Sequence, residues 1–207
     1  MRVLIIGFGP FPGAPFNPSA GLAEALARRR RPAFADTVRA AHIFATSYAA
    51  VDRDLPKLFA GEPDIVVMFG LAGRRRQLCV ETQACNAVSV LFPDARGHRP
   101  QRGVIVPGGP DALRTNAPLA AVRSALGRGP IPARVSRDAG RYLCNYAYWR
   151  ALERVRTGRP LVQFIHIPPI SLDRRPGRQR AHRPPSLRAL GAAAERALVA
   201  LIAASRR

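Results

Sequence analysis

Two short apolar runs restrict the fold of this chain more than any other feature of its sequence. Residues 3–8 and 64–69 each contain a nearly continuous apolar stretch, and glycine follows each one directly. Such a run is typical of a strand that is buried on both faces of a sheet, because an alternating strand would expose every second side chain. The runs therefore predict an α/β protein, an α/β/α sandwich whose mostly parallel, twisted sheet is covered by helices on both faces.

The segments between and after these runs supply the other predicted elements. Asn17 is suited to cap a helix that begins at Pro18 and ends in the arginine run 28–31. Further helices are predicted at 47–59, 116–126, 142–153 and 184–204, strands at 37–44, 104–106, 131–135 and 161–167, and a strand pair or hairpin within 76–90. The length of 207 residues suits a single domain over 1–207, in which the Arg- and Pro-rich segment 174–185 is expected to be mobile.

Cys144 is a candidate nucleophile because of the pattern around it. An apolar approach at 131–135 predicts a strand, and a turn of small residues precedes a stretch with helical spacing of aromatic residues. Cys144 is thus expected in the first turn of a helix, just past the end of a strand, where a helix N-terminus stabilises a thiolate. The alternative is that Cys144 is a small buried core residue, since free cysteine is often buried.

Several candidate residues fall at or just past the ends of predicted strands. They are the segments 8–11 and 70–73, Cys144 and His166. In an open α/β sheet, sites form at the carboxyl ends of the strands, so these segments are expected to converge on one edge.

A cysteine nucleophile needs a base, and the base needs a third group that fixes its orientation. His166 is the candidate base, although a histidine in an apolar strand is also suited to a core position. Glu81 is the candidate third group, because it lies in an otherwise uncharged run over 77–92 and needs a partner if it is buried. The alternative for Glu81 is an ion pair with one of the arginines 74–76.

Four motifs in order resemble the pyroglutamyl peptidase I (pyrrolidone-carboxylate peptidase) family of cysteine peptidases. The segment AGRYLCN at 139–145 resembles the nucleophile motif of the family, and GFGPF at 7–11 with NPS at 17–19 resembles its N-terminal signature. GLAGR at 70–74, followed by Glu81, resembles the block with the catalytic glutamate, and FIHIP at 164–168 resembles the block with the catalytic histidine. The resemblance covers residues 3–168.

The resemblance implies an enzyme that removes N-terminal pyroglutamyl residues from peptides through an acyl-enzyme, without metal or cofactor. It implies Cys144 as nucleophile, His166 as base and Glu81 as the residue that orients or supports His166. For the substrate it implies a slot for a flat lactam ring with aromatic walls and polar contacts, formed by Phe8, Phe11, Tyr142, Asn17 and the backbone around Leu71. It also suggests a homodimer or homotetramer.

Departures from the family pattern leave two other functions open. Tyr142 stands where phenylalanine is common, Leu71 where glutamine is frequent and Thr82 where arginine is usual, and residues 90–98 match poorly. One alternative is a related thiol amidohydrolase with a shifted substrate. The other is a non-catalytic, Arg-rich protein that binds nucleic acid on the same fold.

The charge of the chain bears on that second alternative. Lys and Arg number 33 against 13 Asp and Glu, which gives a net charge of +20. Such a charge attracts nucleic acid or anionic membranes. Aromatic residues do not interleave with the arginines, so solvated faces are the favoured interpretation, and neither a specific nucleic acid nor a membrane is expected as a partner.

The three cysteines indicate the compartment. Cys79, Cys85 and Cys144 form no C-x-x-C pair and have no metal-ligand spacing with a histidine. No export signal precedes them. We therefore expect a reduced, cytoplasmic setting.

Overall fold

The computed structural model describes residues 1–170 and 184–206. The expected mobile segment 174–185 lies almost entirely outside the described residues. The strands are β1 (Arg2–Phe8), β2 (Val38–Phe44), β3 (Ile65–Leu71), β4 (Leu78–Glu81), β5 (Gln83–Cys85), β6 (Ala112–Arg114), β7 (Ala133–Ser136) and β8 (Leu161–Ile167). The helices are α1 (Pro18–Arg28), α2 (Tyr48–Ala60), α3 (Leu119–Gly127), α4 (Leu143–Leu152) and α5 (Leu187–Ser205).

Six strands form one mixed sheet in the order β2-β1-β3-β8-β4-β7. The first four of these strands are mutually parallel, whereas β4 is antiparallel to β8 and parallel to β7. The predicted α/β fold with a mostly parallel sheet is confirmed. Strands β5 and β6 form a separate antiparallel pair.

Helices cover both faces of the sheet, which explains the continuous apolar runs. Along β1, Val3 and Ile5 pack in one core cluster with residues of α1, α3 and α5, while Leu4 and Ile6 pack in the other with residues of α2 and α4. Burying an aliphatic side chain of this size contributes about 1.5–3 kcal/mol. Apolar residues on both sides of the strand therefore stabilise the fold.

Two predicted strands are wrong in detail. The segment 76–90 does not form a hairpin, because β4 joins the main sheet between β8 and β7, while β5 pairs with β6. Residues 104–106 do not form a strand. The amides of Ile105 and Val106 instead donate to Oδ1 of Asn86, at 3.0 and 2.8 Å, so their backbone polar groups are satisfied by a side chain.

The third helix begins later than predicted because Asn116 has another role. Its side chain donates to the carbonyls of Gly158 and Pro160 and accepts from the amide of Val162. These bonds hold the start of β8, and the helix begins after Pro118. Within the described part of the chain, no helix is both long enough and apolar enough to span a membrane.

Candidate active site

Three of the four predicted segments meet at one edge of the sheet. Strands β1, β3 and β8 are parallel neighbours, and Gly70 of β3 lies opposite His166 of β8. Ile6 of β1 lies opposite Met68, so the end of β1 at Phe8 reaches the same level. This convergence confirms the expectation from the strand ends.

Cys144 reaches the same place by a different route from the predicted one. It lies in the first turn of α4, as expected, but β7 runs antiparallel to β8. Glu81 of β4 lies opposite both Ser136, the last residue of β7, and Phe164, in the middle of β8. The end of β7 is therefore at the height of Phe164 and not at that of His166. The predicted order of strand, turn and helix is confirmed, but β7 does not end at the edge where β8 ends, and the connection 137–142 brings Cys144 there.

Gly70 provides the space for the thiol. A Cβ atom at this position would lie 2.8 Å from Sγ of Cys144 and 2.6 Å from Cζ of Phe164. Both distances are shorter than real Cβ contacts allow. The missing side chain lets the first turn of α4 lie directly against the carboxyl end of β3.

Glu81 and His166 form a buried pair across neighbouring strands. Glu81 lies opposite Phe164, and His166 is two residues further along β8, so the two side chains are diagonal neighbours on one face. Nδ1 of His166 lies 2.9 Å from Oε1 of Glu81, and the two residues are 5% and 0% exposed. The bond fixes the imidazole ring and leaves Nε2 as the nitrogen able to exchange a proton with a third group.

The alternative partner of Glu81 is present as well. Nη1 of Arg75 donates to the same Oε1 atom at 2.7 Å. The hydroxyl of Tyr148 and Nε2 of Gln163 donate to the backbone carbonyl of Glu81, which holds this part of β4. The two interpretations of Glu81 from the sequence are therefore compatible, because one oxygen accepts from both the histidine and an arginine.

The first turn of α4 offers unpaired backbone donors beside the thiol. Its N-cap, Tyr142, makes no side-chain capping bond, whereas Asn17, Ser47 and Ser186 cap α1, α2 and α5. Among the described residues, no acceptor pairs with the amides of the first three residues of the helix, 143–145. Free amides at a helix N-terminus bind a negatively charged oxygen.

The surroundings of Cys144 oppose ionisation of its thiol. Burial raises the pKa of the Cys144 thiol from 9.0 to about 12, and the Glu81 carboxylate contributes to the rise. At ~1.4 kcal/mol per pH unit, this change disfavours the thiolate by roughly 4 kcal/mol. A helix N-terminus favours an anion by only about 0.3–1 kcal/mol, or ~2 in a partly buried site. Burial thus opposes the stabilisation that the helix N-terminus gives to a thiolate, and Cys144 needs a base.

The three aromatic residues predicted to form the substrate slot have different environments. Phe8 is 2% exposed, and its ring packs against those of Phe44 and Phe164 at centroid distances of 5.8 and 6.1 Å. Phe11 and Tyr142 are partly exposed and face each other at 6.2 Å. The structure thus brings Phe11 and Tyr142 together as an open pair and places Phe8 in the core below.

The two predicted polar contacts lie at the ends of the neighbouring strands β1 and β3. Asn17 is buried, and its Oδ1 accepts from the amide and hydroxyl of Ser19 while its Nδ2 donates to the carbonyl of Gly9. Among the residues that the structure describes, the second N–H of this amide has no acceptor, so it is available to a ligand. Leu71 is the last residue of β3, lies opposite Ile167 and has a partly exposed side chain.

Two asparagines without a predicted role hold neighbouring segments of the chain in place. Asn145 is fully buried, accepts from the amide of Cys85 and donates to the carbonyls of Cys85 and Ala87, which ties α4 to β5. Asn86 holds residues 105–106, as described above. The signal for Asn145 was a polar residue inside an apolar helix, because such a residue needs buried partners.

Comparison with known proteins gives a consistent result. Residues 1–206 match the family model described as pyroglutamyl peptidase. A pyrrolidone-carboxylate peptidase of Thermococcus onnurineus is 36% identical over 175 residues, which cover 81% of this chain and 84% of the relative. One from Vibrio campbellii is 31% identical over 167 residues and covers 81% and 78%.

Solved structures agree with this assignment. A mutant pyrrolidone carboxyl peptidase from Pyrococcus furiosus superimposes with a TM-score of 0.86 at 28% identity, covering 99% of this chain and 100% of that one. For the pyroglutamyl peptidase I of Bacillus amyloliquefaciens, the TM-score is 0.81 at 28% identity, and the coverage is 98% and 97%. This chain belongs to the pyroglutamyl peptidase family of cysteine peptidases.

Proposed function

We propose that this protein is a cysteine exopeptidase that removes an N-terminal pyroglutamyl residue from peptides through an acyl-enzyme. One observation supports the proposal most strongly: the buried Glu81–His166 hydrogen bond lies at the sheet edge where Gly70 admits the thiol of Cys144. The family of the chain and its match to pyrrolidone-carboxylate peptidases support the substrate class.

In the proposed mechanism, His166 moves the protons and Cys144 makes the covalent bond. Because the thiol rests protonated, Nε2 of His166 takes its proton as Sγ attacks the carbonyl that joins pyroglutamate to the next residue. The amides of residues 143–145 stabilise the oxyanion. His166 then gives the proton to the departing amine, which leaves a thioester on Cys144.

Water completes the reaction. His166 takes a proton from a water molecule, which attacks the thioester carbonyl, and Cys144 leaves as the thiol when His166 returns the proton. Pyroglutamate is released. Glu81 keeps Nδ1 of His166 protonated and stabilises the imidazolium that forms in each half of the reaction.

We propose that Phe11 and Tyr142 contact the faces of the lactam ring, above the core-packed Phe8. The free N–H of Asn17 and the backbone around Leu71 are proposed to meet the polar groups of the ring. An apolar slot alone separates close analogues by roughly 10- to 200-fold, whereas polar groups left unpaired by the wrong ligand give about four to five orders of magnitude. Proline lacks the ring carbonyl and carries a charged amine at a peptide N-terminus, so this slot should reject it.

The test compares a pyroglutamyl fluorogenic amide with the matching prolyl amide. We expect kcat/KM to be at least about a thousandfold higher for the pyroglutamyl amide and Cys144→Ala to cleave neither. The matched control is Cys85→Ala, a second partly buried free cysteine, which should keep its activity. Comparable rates with both amides would contradict the proposal.

One observation favours the alternative of a related thiol amidohydrolase with a shifted substrate. The segment that matches the family poorly exposes Val90, Leu91 and Phe92, with 42%, 73% and 63% of their surfaces accessible. These residues and Tyr142 line a cavity of about 430 Å³. Turnover of other N-acyl amides at the pyroglutamyl rate would favour this alternative.

We further propose a reduced cytoplasmic setting and a homodimer or homotetramer. All three cysteines are free thiols, as is usual in a reducing compartment. The oligomeric state rests on the family resemblance alone, and sedimentation of the purified protein tests it.

A further inference from the structure

Arg75 connects three segments of the candidate active site. It lies in the loop after β3, and its Nη1 donates to Oε1 of Glu81 at 2.7 Å and to Oγ of Ser136 at 3.3 Å. Its Nη2 donates to the carbonyl of Asp138 at 2.7 Å. Asp138 belongs to the connection 137–142 that leads to Cys144, and its carboxylate accepts from the amide of Gly140, which has a φ of +81°. One guanidinium thus bridges β4, β7 and the approach to the nucleophile.

The guanidinium is paired with a carboxylate that has no access to solvent. The side chain of Glu81 is 0% exposed, and an isolated carboxylate at such a site takes up a proton rather than remain charged. Within the described residues, its salt-bridge partners are Arg75 and His166 alone. His166 is neutral when it acts as a base, so Arg75 is the cation that persists through the reaction.

Other titratable groups near Glu81 do not replace that cation. Cys144 and Tyr148 approach from α4, and Cys79 lies on β4 itself. Each of them is neutral or negative, and Ser136 from β7 carries no charge. The arginines on either side of Arg75 are exposed, so the chain offers matched controls at positions 74 and 76.

We propose that Arg75 is a positioning residue for the proposed peptidase reaction. Its guanidinium keeps Glu81 ionised and directed at Nδ1 of His166. Through its bond to the carbonyl of Asp138, the same guanidinium also holds the connection 137–142 next to Glu81. The proposal rests on the proposed function for its kinetic test, whereas the state of the Glu81–His166 pair can be measured without any substrate.

Removing the cation should make the pair easier to protonate. Without Arg75, a proton on Glu81 relieves an uncompensated buried charge, and a proton on His166 gains the full attraction of that charge. Both effects have the same sign, and an opposite charge at this distance shifts a titration by about 1–3 pH units. The protonated pair cannot accept the proton of Cys144. The acid limb of kcat/KM should therefore move to higher pH.

The experiment measures kcat/KM for the pyroglutamyl amide between pH 5 and 9. For Arg75→Gln, we expect the acid limb to move up by about one pH unit or more. The loss of kcat/KM relative to the wild type should therefore be larger at pH 6 than at pH 8. Arg75→Lys keeps the charge but not the fork of donors, so its rate should fall while its acid limb stays within about half a unit. Arg74→Gln and Arg76→Gln should match the wild type in both rate and pH profile.

A second readout separates failure of this proposal from failure of the proposed function. The imidazole NMR titration of His166, assigned by its loss in His166→Ala, should move to higher pH in Arg75→Gln whether or not the amide is a substrate. An unchanged acid limb and an unchanged His166 titration, with only a lower melting temperature, would show a purely structural role and overturn the proposal. If Arg75→Gln does not fold, Arg75→Lys is the test. Because Arg75→Lys keeps the positive charge, an acid limb that moves to higher pH in this variant would overturn the proposal.

Discussion

The Glu81–His166 pair and the apolar rim, which we define as Val88, Val90, Leu91 and Phe92, differ in how they are held. The pair is fully covered and fixed by hydrogen bonds of 2.7–2.9 Å from Arg75 and His166 to one oxygen. Three residues of the rim are between 42% and 73% exposed. The chain around the rim is held by a few backbone bonds, including those from Ser89 to Arg141 and from Val88 to Gly103. The rigid pair is suited to proton transfer at a reacting centre, and the exposed rim is suited to contacts with a variable part of a substrate.

This difference implies different kinetic effects. A group held rigidly at a reacting centre affects kcat, because small displacements there misalign the reacting atoms. An exposed apolar contact away from that centre contributes binding energy that is similar in the ground and transition states, and it therefore affects KM. Substitutions in the two regions can separate these effects.

The larger effect is expected at Gly70, beside the thiol. In Gly70→Ala, the new Cβ would meet Sγ of Cys144 at 2.8 Å and Cζ of Phe164 at 2.6 Å, so the thiol and the Phe164 ring must move. Displacement of this kind costs on the order of 100-fold in kcat. The control is Gly73→Ala, where a Cβ would meet nothing within 4 Å. Equal kcat values for the two variants would show that the thiol is not confined as described.

The smaller effect is expected at the rim. Leu91→Ser and Phe92→Ser should raise KM for pyroglutamyl peptides by less than about tenfold, equivalent to ~1.4 kcal/mol, and leave kcat within about twofold. Val38→Ser, 72% exposed at the edge strand β2, is the control and should change neither constant. A loss of kcat at the rim as large as that of Gly70→Ala would remove the distinction between the two regions.

The parts of the fold that local signals determine were predictable from the sequence. Strand 161–167 matches β8 at both ends, because an apolar run meets a proline on each side. Asn17 caps α1 as predicted, with its Oδ1 accepting from the amide of Ser19. Buried strands and capping residues act over a few positions, so a single sequence contains their signal.

The parts that depend on distant partners were not predictable. β4 has only four residues, and nothing in them determines that it runs antiparallel to a strand more than eighty positions later. The sequence offered three adjacent arginines to Glu81, and only the folded loop selects Arg75. The pKa of Cys144 also depends on tertiary structure, because burial of the thiol and the Glu81 carboxylate raise it against the effect of the local helix N-terminus.

The central claim is that Cys144 forms a thioester with the pyroglutamyl group and that His166 activates it. The most direct test is an acid quench during turnover of a pyroglutamyl 4-nitrophenyl ester, whose fast acylation lets the acyl-enzyme accumulate, followed by peptide mapping with mass spectrometry. The account predicts one pyroglutamyl group on the peptide that contains Cys144, with little in His166→Ala and none in Cys144→Ala. A group on Cys79 or Cys85, or continued turnover by Cys144→Ala, would contradict it.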